Sequence, residues 1–271
     1  MKQRVISAVI MLIIVIACMV VSPYTRILLF TFAGVYSVKE MKNVFGLMDV
    51  KCVDWALYLY VLGNAALCAF SVTTEIKAVY YFAWAFLAMF LIMFAGIMAE
   101  PVRGHGAMST LGILVYPLLP YALVTHISID VGWIAVFVTA CLATWICDSF
   151  ALFGGKAFGK HKAALYVSPN KTVEGCVCGA ISSLFAGVIS YFVIPLLGAE
   201  PIPLVTCTAV SLIASSFGQV GDLAASLLKR MVGIKDYSNL IPGHGGMMDR
   251  ADSLLFSIPV TWFCFFVANV I

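Results

Sequence analysis

The residues Lys235–Ser253, KDYSNLIPGHGGMMDRADS, gather aspartates, basic side chains, a histidine and glycines into one short polar block. Asp249 and Asp252 are three residues apart at the expected start of the last helix, so they should face the same way. Two carboxylates at that spacing repel unless a cation lies between them. An all-oxygen ligand set suits Mg²⁺, which keeps several waters and bridges to substrate phosphates. The alternative is that Arg250 and Lys229 neutralise the two acids in a structural network. The sequence Pro242-Gly243-His244-Gly245-Gly246 cannot form a regular helix. It allows a tight loop whose backbone N–H groups can point at phosphate oxygens. His244 could donate to a phosphate or serve the loop alone. If the preceding helix continues past its apolar stretch, Asp222, Ser226 and Lys229 fall at i, i+4 and i+7 on one face. Asp222 could equally be a salt-bridge partner of Lys229 or Arg230.

A second polar segment runs from residue 147 to 176, CDSFALFGGKAFGKHKAALYVSPNKTVEGC. Asp148 sits at the end of an apolar run, where a carboxylate is expensive and is a functional candidate by default. Gly154, Gly155 and Gly159 would let the backbone approach a ligand closely. Lys156, Lys160, Lys162 and Lys171 supply positive charge, either for an anionic ligand or as anchors beside anionic lipid. SPNKTVEG has helix-start chemistry, with Thr172 before an apolar run and Glu174 in the first turn. Carboxylates, basic residues and a glycine loop together fit a metal–polyphosphate site. No serine, cysteine or histidine stands in an evident nucleophile arrangement. His105, His126 and His161 are scattered, zinc and haem have no plausible ligand set, and no nucleic-acid module is present.

The elements that must hold these residues are dictated by composition. The chain is 63% hydrophobic and only 11% charged, against roughly 25% charged in an average soluble domain. Apolar runs long enough to cross a hydrocarbon core recur along the sequence. We therefore expect an all-α polytopic membrane protein with about nine transmembrane helices, near 5–21, 24–38, 53–70, 78–98, 107–124, 131–149, 174–196, 201–222 and 253–270. The first is expected to be an uncleaved helix, because it lacks a clear small-residue cleavage site and further spans follow at once. Only Ser22-Pro23 separates it from the second, so the pair could be a tight hairpin. With the N-terminus in the cytoplasm, all of the 16 lysines and arginines except Arg26 and Lys77 fall on the cytoplasmic side. Both polar segments then face the cytoplasm. The nine cysteines lie mostly inside apolar runs and read as small packing residues. No internal repeat is visible, and residues 1–271 read as a single membrane domain with its work in two loops. The compact chain leads us to expect a bacterial inner (cell) membrane.

Residues 226–252, SLLKRMVGIKDYSNLIPGHGGMMDRAD, closely resemble the signature of the phosphatidate cytidylyltransferases, or CDP-diacylglycerol synthases. Every fixed position of that pattern is met, at Ser226, Lys229, Arg230, Lys235, Asp236, Pro242, His244, Gly245, Gly246, Asp249, Arg250 and Asp252. The segments CDSFALFGGKAFGKHK and SPNKTVEG also look like the family. Departures fall at Leu152, where the family often has a tyrosine nearby, at Asn170, often lysine, and at Ala225, often an acid. The last weakens any larger carboxylate cluster around Asp222.

The resemblance implies transfer of CMP from CTP to phosphatidic acid, giving CDP-diacylglycerol and pyrophosphate in phospholipid biosynthesis. It implies Mg²⁺ at Asp222, Asp249, Asp252 and Asp148, where a monovalent cation such as K⁺ could also sit. Catalytic roles fall to Lys229, Arg230, Lys235, Asp236, His244 and Arg250. Substrate contacts fall to Ser226, Gly243, Gly245, Gly246, Lys156, Lys160, Ser168 and Lys171. It further implies the lipid bilayer as partner and a homodimer, with no nucleic acid. Two readings compete: a CTP-using kinase of a lipid alcohol, and a transporter or channel. The second would place its charges near mid-span, whereas here they gather at the expected cytoplasmic ends.

Overall fold

The computed structural model describes residues 2–74, 76–98, 104–241, 243 and 245–271. Its helices, in chain order, are α1 (Lys2–Val21), α2 (Pro23–Gly46), α3 (Asp54–Ser71), α4 (Ala78–Met98), α5 (Gly104–Ile113), a π-helical turn (Leu114–Leu118), α6 (Leu119–Ile129) and α7 (Trp133–Phe158). A hairpin of β1 (Lys162–Ala164) and β2 (Ser168–Thr172) follows. Then come α8 (Val173–Leu196), α9 (Leu204–Met231), α10 (Met248–Ala251) and α11 (Leu254–Val267). Each expected span overlaps one of these helical stretches. Among the described residues six stretches are long and apolar enough to cross a membrane: 78–98, 105–129, 133–158, 173–196, 204–231 and 248–267. The chain is an α-helical integral membrane protein.

It divides into two compact units. One comprises residues 1–129 with 236–250; the other comprises 130–235 with 251–271.

In the first unit the Ser22-Pro23 corner is a true hairpin turn. Ser22 Oγ accepts from Thr25 N at 3.2 Å, and Thr25 Oγ1 accepts from Ser22 N at 3.1 Å. Pro23 begins the helix where its missing N–H costs nothing. Arg26, one of the two basic residues outside the expected cytoplasmic set, is buried and donates to the Ser128 carbonyl near the end of α6. Its position is thus set by an orphan carbonyl. Helix α2 runs to Gly46, beyond the expected end near residue 38. Its continuation still presents a buried stripe of Ser37, Val38, Glu40, Met41 and Val44, a helical spacing that a rise in polarity alone does not end.

The second unit packs α7, α8, α9 and α11 through small side chains. Ala143, Ala186 and Ala214 meet at its centre, each fully buried. Helix α8 carries Gly175, Gly179, Ser183 and Gly187 at four-residue intervals. Without a hydrophobic driving force between helices in lipid, close backbone approach and hydrogen bonding must supply the association. The glycines of 147–176 belong to this packing. A Cβ on Gly179 would lie 2.7 Å from the Cys147 carbonyl oxygen, and one on Gly175 the same distance from that of Ala151. Gly154 lies against Cys178, and Gly155 and Gly159 against Thr172. Gly154, Gly155 and Gly159, expected to let the backbone approach a ligand, make room for α8 and its N-cap.

Candidate functional site

In the second unit the hairpin delivers the site lysine. Its strands pair antiparallel, with Lys162 opposite Thr172 and Ala164 opposite Ser168. Thr172 caps α8 as expected, its Oγ1 accepting from Gly175 N at 3.2 Å. Glu174, in the first turn of α8, accepts from the backbone N–H groups of Lys160 at 3.1 Å and His161 at 3.2 Å. It also pairs with His161 Nδ1 at 2.6 Å. Lys162 Nζ donates across the hairpin to the Pro169 carbonyl at 2.6 Å, so this lysine serves the turn. With its base pinned at Glu174, the hairpin sends Lys171 to an ion pair with Asp222 of α9. Both side chains are partly buried, at 26% and 30% exposure.

Asp148 of α7 lies within electrostatic reach of both Asp222 and Lys171. Among the described residues it has no hydrogen bond or ion pair. Three elements distant in sequence therefore bring Asp148, Asp222 and Lys171 within electrostatic reach of one another, with Lys171 paired to Asp222. The partner of Asp222 is Lys171, rather than the Lys229 or Arg230 weighed from spacing. Gln219, one turn earlier on α9, donates to Cys147 Sγ at 3.1 Å and to the Cys176 carbonyl at 3.2 Å. It ties α7, α8 and α9 together beside the acids. Sequence reading passed over Gln219, although an amide inside an apolar span, three residues before an aspartate, was a usable sign.

Helix α9 does continue to Met231, so Asp222, Ser226 and Lys229 share one helix as the spacing required. Lys229 is buried and Arg230 exposed. Arg230 donates to the Val167 carbonyl at 3.3 Å and the Ile234 carbonyl at 2.9 Å, joining the hairpin to the helix end. Gly233, at φ 74°, closes α9: its N–H reaches the Arg230 carbonyl, and that of Ile234 reaches the Lys229 carbonyl. Lys156 and Lys160 are exposed, as is Lys235, while Ser168 is half-buried in β2.

In the first unit the glycine loop is held by carboxylates. Asp249 Oδ2 accepts from Tyr237 N and from Gly246 N, each at 2.9 Å. Glu40 of α2 accepts from Ser238 Oγ at 2.6 Å, and from Met247 N and Met248 N, each at 2.8 Å. Ile241 and Gly245 bridge across the loop. The N–H groups of Gly246, Met247 and Met248 thus meet the protein's own carboxylates. Gly243, at φ 79°, is exposed, as are Asp236 and Arg250. Pro242 and His244 lie outside the described residues. Asp249 and Asp252 both lie at the start of the last stretch, 248–267, which is interrupted between them and the rest of the helix. Helix α10 ends at Ala251, and Asp252 and Ser253 form a turn before α11, where Asp252 Oδ1 accepts from Ser253 N at 2.8 Å. Both aspartates are buried.

Glu40 was missed by sequence reading, since it lies just past the expected end of the second span near residue 38. Two residues on, Lys42 pairs with Asp54, whose hydrogen bond and charge hold the Lys42 ammonium above its ordinary pKa.

Among the described residues no three His, Cys, Asp or Glu side chains form a metal cage. Asp148 and Asp222 are carboxylates that could hold Mg²⁺, which is commonly held through one or two carboxylates with waters and substrate phosphates as the other ligands.

The chain belongs to the Cytidylyltransferase family, which it matches over residues 2–268. It is 45% identical over 124 residues to a phosphatidate cytidylyltransferase of Bacillus subtilis (strain 168), a stretch covering 46% of this chain and 45% of that protein. Over 121 residues it is 40% identical to a phosphatidate cytidylyltransferase of Staphylococcus haemolyticus (strain JCSC1435) and 41% to one of Staphylococcus aureus (strain COL), in each case covering 45% of both chains. In each pairing the chain spans a little under half the length of the relative.

Proposed function

We propose that the protein is a phosphatidate cytidylyltransferase, joining CTP and phosphatidic acid to give CDP-diacylglycerol and pyrophosphate. The observation that carries this reading is the convergence of Asp148, Lys171 and Asp222 from α7, β2 and α9 in a chain of the Cytidylyltransferase family. A lipid phosphate monoester is largely dianionic at neutral pH, with a second pKa near ~6 by analogy with phosphoserine. It needs no strong base and no covalent enzyme intermediate. The chemical task is to bring two anions together and neutralise the departing pyrophosphate. A site rich in Asp, Lys and Arg without a poised nucleophile suits that task.

In this reading Asp148 and Asp222 hold Mg²⁺, which when bound screens phosphate charge. Asp249 and Asp252 are further candidates for it, and K⁺ is a candidate second cation. Lys171 holds Asp222 in place and offers charge to a phosphate. Lys229, Arg230, Lys235 and Arg250 bind phosphates of CTP or lipid, with Ser226, Ser168, Lys156 and Lys160 as further contacts. Asp236, His244 and the loop glycines Gly243, Gly245 and Gly246 complete the proposed set. The membrane reading is nine spans with the N-terminus and both polar segments cytoplasmic, in a bacterial cell membrane, and the assembly is a homodimer.

The test is incubation of purified protein with labelled CTP, phosphatidic acid and Mg²⁺, with and without EDTA. Lipid-soluble label with matching pyrophosphate, lost on chelation, is expected. Label without pyrophosphate would point to a lipid kinase, and absence of product from folded, CTP-binding protein would overturn the reading.

A further inference from the structure

Glu40 is a carboxylate within a helix of a membrane protein, only 2% exposed. Such a group is retained at a cost unless its oxygens are occupied. Its oxygens accept three hydrogen bonds, all from a segment some 200 residues away: the Ser238 hydroxyl and the Met247 and Met248 amides. The same carboxylate explains a glycine of the signature. A Cβ on Gly246 would come within 2.8 Å of Glu40 Cδ and 2.9 Å of Ser238 Oγ. Gly246 is therefore bare where Glu40 enters. The next contacts in the loop belong to Asp249, which takes the Tyr237 and Gly246 amides. Glu40 and Asp249 thus grip the same loop on adjoining amides, Gly246 by Asp249 and Met247 and Met248 by Glu40.

We propose that Glu40 is a positioning residue for the reaction. It fixes the 236–250 segment to α2 and so sets where Asp249 and Arg250 stand when substrate binds. Glu40 itself touches no substrate; it acts through the loop. This rests on the cytidylyltransferase reading for its catalytic consequence, but the tether itself does not.

The experiment uses Glu40→Gln and Ser238→Ala in the full-length protein, with two readouts. A glutamine keeps one acceptor oxygen but turns an amide donor toward one of the backbone N–H groups. Ser238→Ala removes a single donor and leaves the buried acid with its two amide contacts, so it serves if Glu40→Gln fails to fold. Hydrogen exchange reads the tether without activity: faster exchange confined to residues 237–248 is expected in both variants. Turnover is measured per CTP-binding molecule, so that misfolded protein is not counted. A drop in kcat of about tenfold or more is expected in Glu40→Gln, as for a site displaced by a fraction of an ångström. A smaller drop is expected in Ser238→Ala, with CTP affinity little changed in both. A merely structural role would lower the fraction that binds CTP and leave turnover per binding molecule at the wild-type value, and that result would overturn the proposal. Unchanged exchange at 237–248 in both variants would overturn the tether. A wild-type protein that forms no lipid product would sink the functional reading, and the exchange measurement would still decide the tether.

Discussion

Replacing Gly179 by alanine adds one methyl group where α8 lies close against the backbone of α7. That methyl carbon would lie 2.7 Å from the Cys147 carbonyl oxygen, 2.9 Å from Ala151 Cβ and 2.9 Å from Cys147 Sγ. The nearest obstacle is backbone, so no side-chain rotation relieves it. Restoring ordinary contact, which begins near 3.4 Å, requires α7 and α8 to part by about 0.7 Å. Overpacking of this kind costs about 1–3 kcal/mol. The displaced carbonyl belongs to the residue before Asp148, so the strain enters where Asp148 must meet Asp222 and Lys171. If a misplacement of about 1 Å costs ~10²-fold in rate, this shift costs on the order of tenfold. The assay is thermal unfolding in detergent alongside kcat for label transfer from CTP. Gly112→Ala is the control, because a Cβ there meets nothing within 4 Å. We expect Gly179→Ala to lower both Tm and kcat and Gly112→Ala to lower neither. Wild-type stability and turnover in Gly179→Ala would refute the view that these glycines set the geometry of the acids.

Asp249→Asn keeps an acceptor oxygen for the Tyr237 and Gly246 amides while removing the charge. It should fold with a Tm close to wild type and lose ~10²-fold or more in turnover, as an electrostatic role requires; near-normal activity would sink that role. Asp249→Ala should in addition speed amide exchange at Tyr237 and Gly246. Lys171→Met removes the partner of Asp222 at a partly buried pair. A hydrogen bond to a charged group contributes about 1.5–3 kcal/mol, so kcat/KM for CTP should fall roughly tenfold to hundredfold, with Lys171→Arg recovering part. Chelation with EDTA should abolish turnover, and Mg²⁺ should restore it; if Asp148 and Asp222 both serve the ion, Asp148→Asn should raise the Mg²⁺ concentration needed for half-activity.

The helical skeleton was legible because span length and apolarity are local properties. Ser22-Pro23, Thr172 and the continuation of α9 could be read from capping and periodicity alone. What escaped was pairing across long sequence separation. Lys171 and Asp222 were each singled out, yet spacing offered Lys229 and Arg230 as nearer partners, and only the hairpin makes Lys171 the partner found. Gly154, Gly155 and Gly159 were read as room for a ligand, and their packing against α8 was not legible, since a sequence does not reveal whether a bare backbone faces a phosphate or another helix. Glu40 and Gln219 are single polar residues in helices, and their partners lie on elements distant in sequence, which spacing does not reveal.

The disposition of the acids argues for where a cation would go. Glu40 and Asp249 are committed to loop amides, Glu174 to the hairpin base, Asp54 to Lys42, and Asp252 to the start of the last helix. Asp222 is held by a single lysine, and Asp148 has neither a hydrogen bond nor an ion pair among the described residues. A membrane helix that keeps such a carboxylate within reach of a second one carries repulsion that Lys171 only partly offsets. In the proposed reading, those two acids are therefore the ones whose environment a bound divalent ion would improve most. Of the loop acids, Asp249 already accepts two backbone hydrogen bonds at Oδ2 and Asp252 one at Oδ1. The ordering this gives is testable in one titration: loss of Asp148 or Asp222 should weaken Mg²⁺ dependence, while loss of Asp249 should act on turnover at saturating Mg²⁺. The reverse pattern would move the ion to the loop.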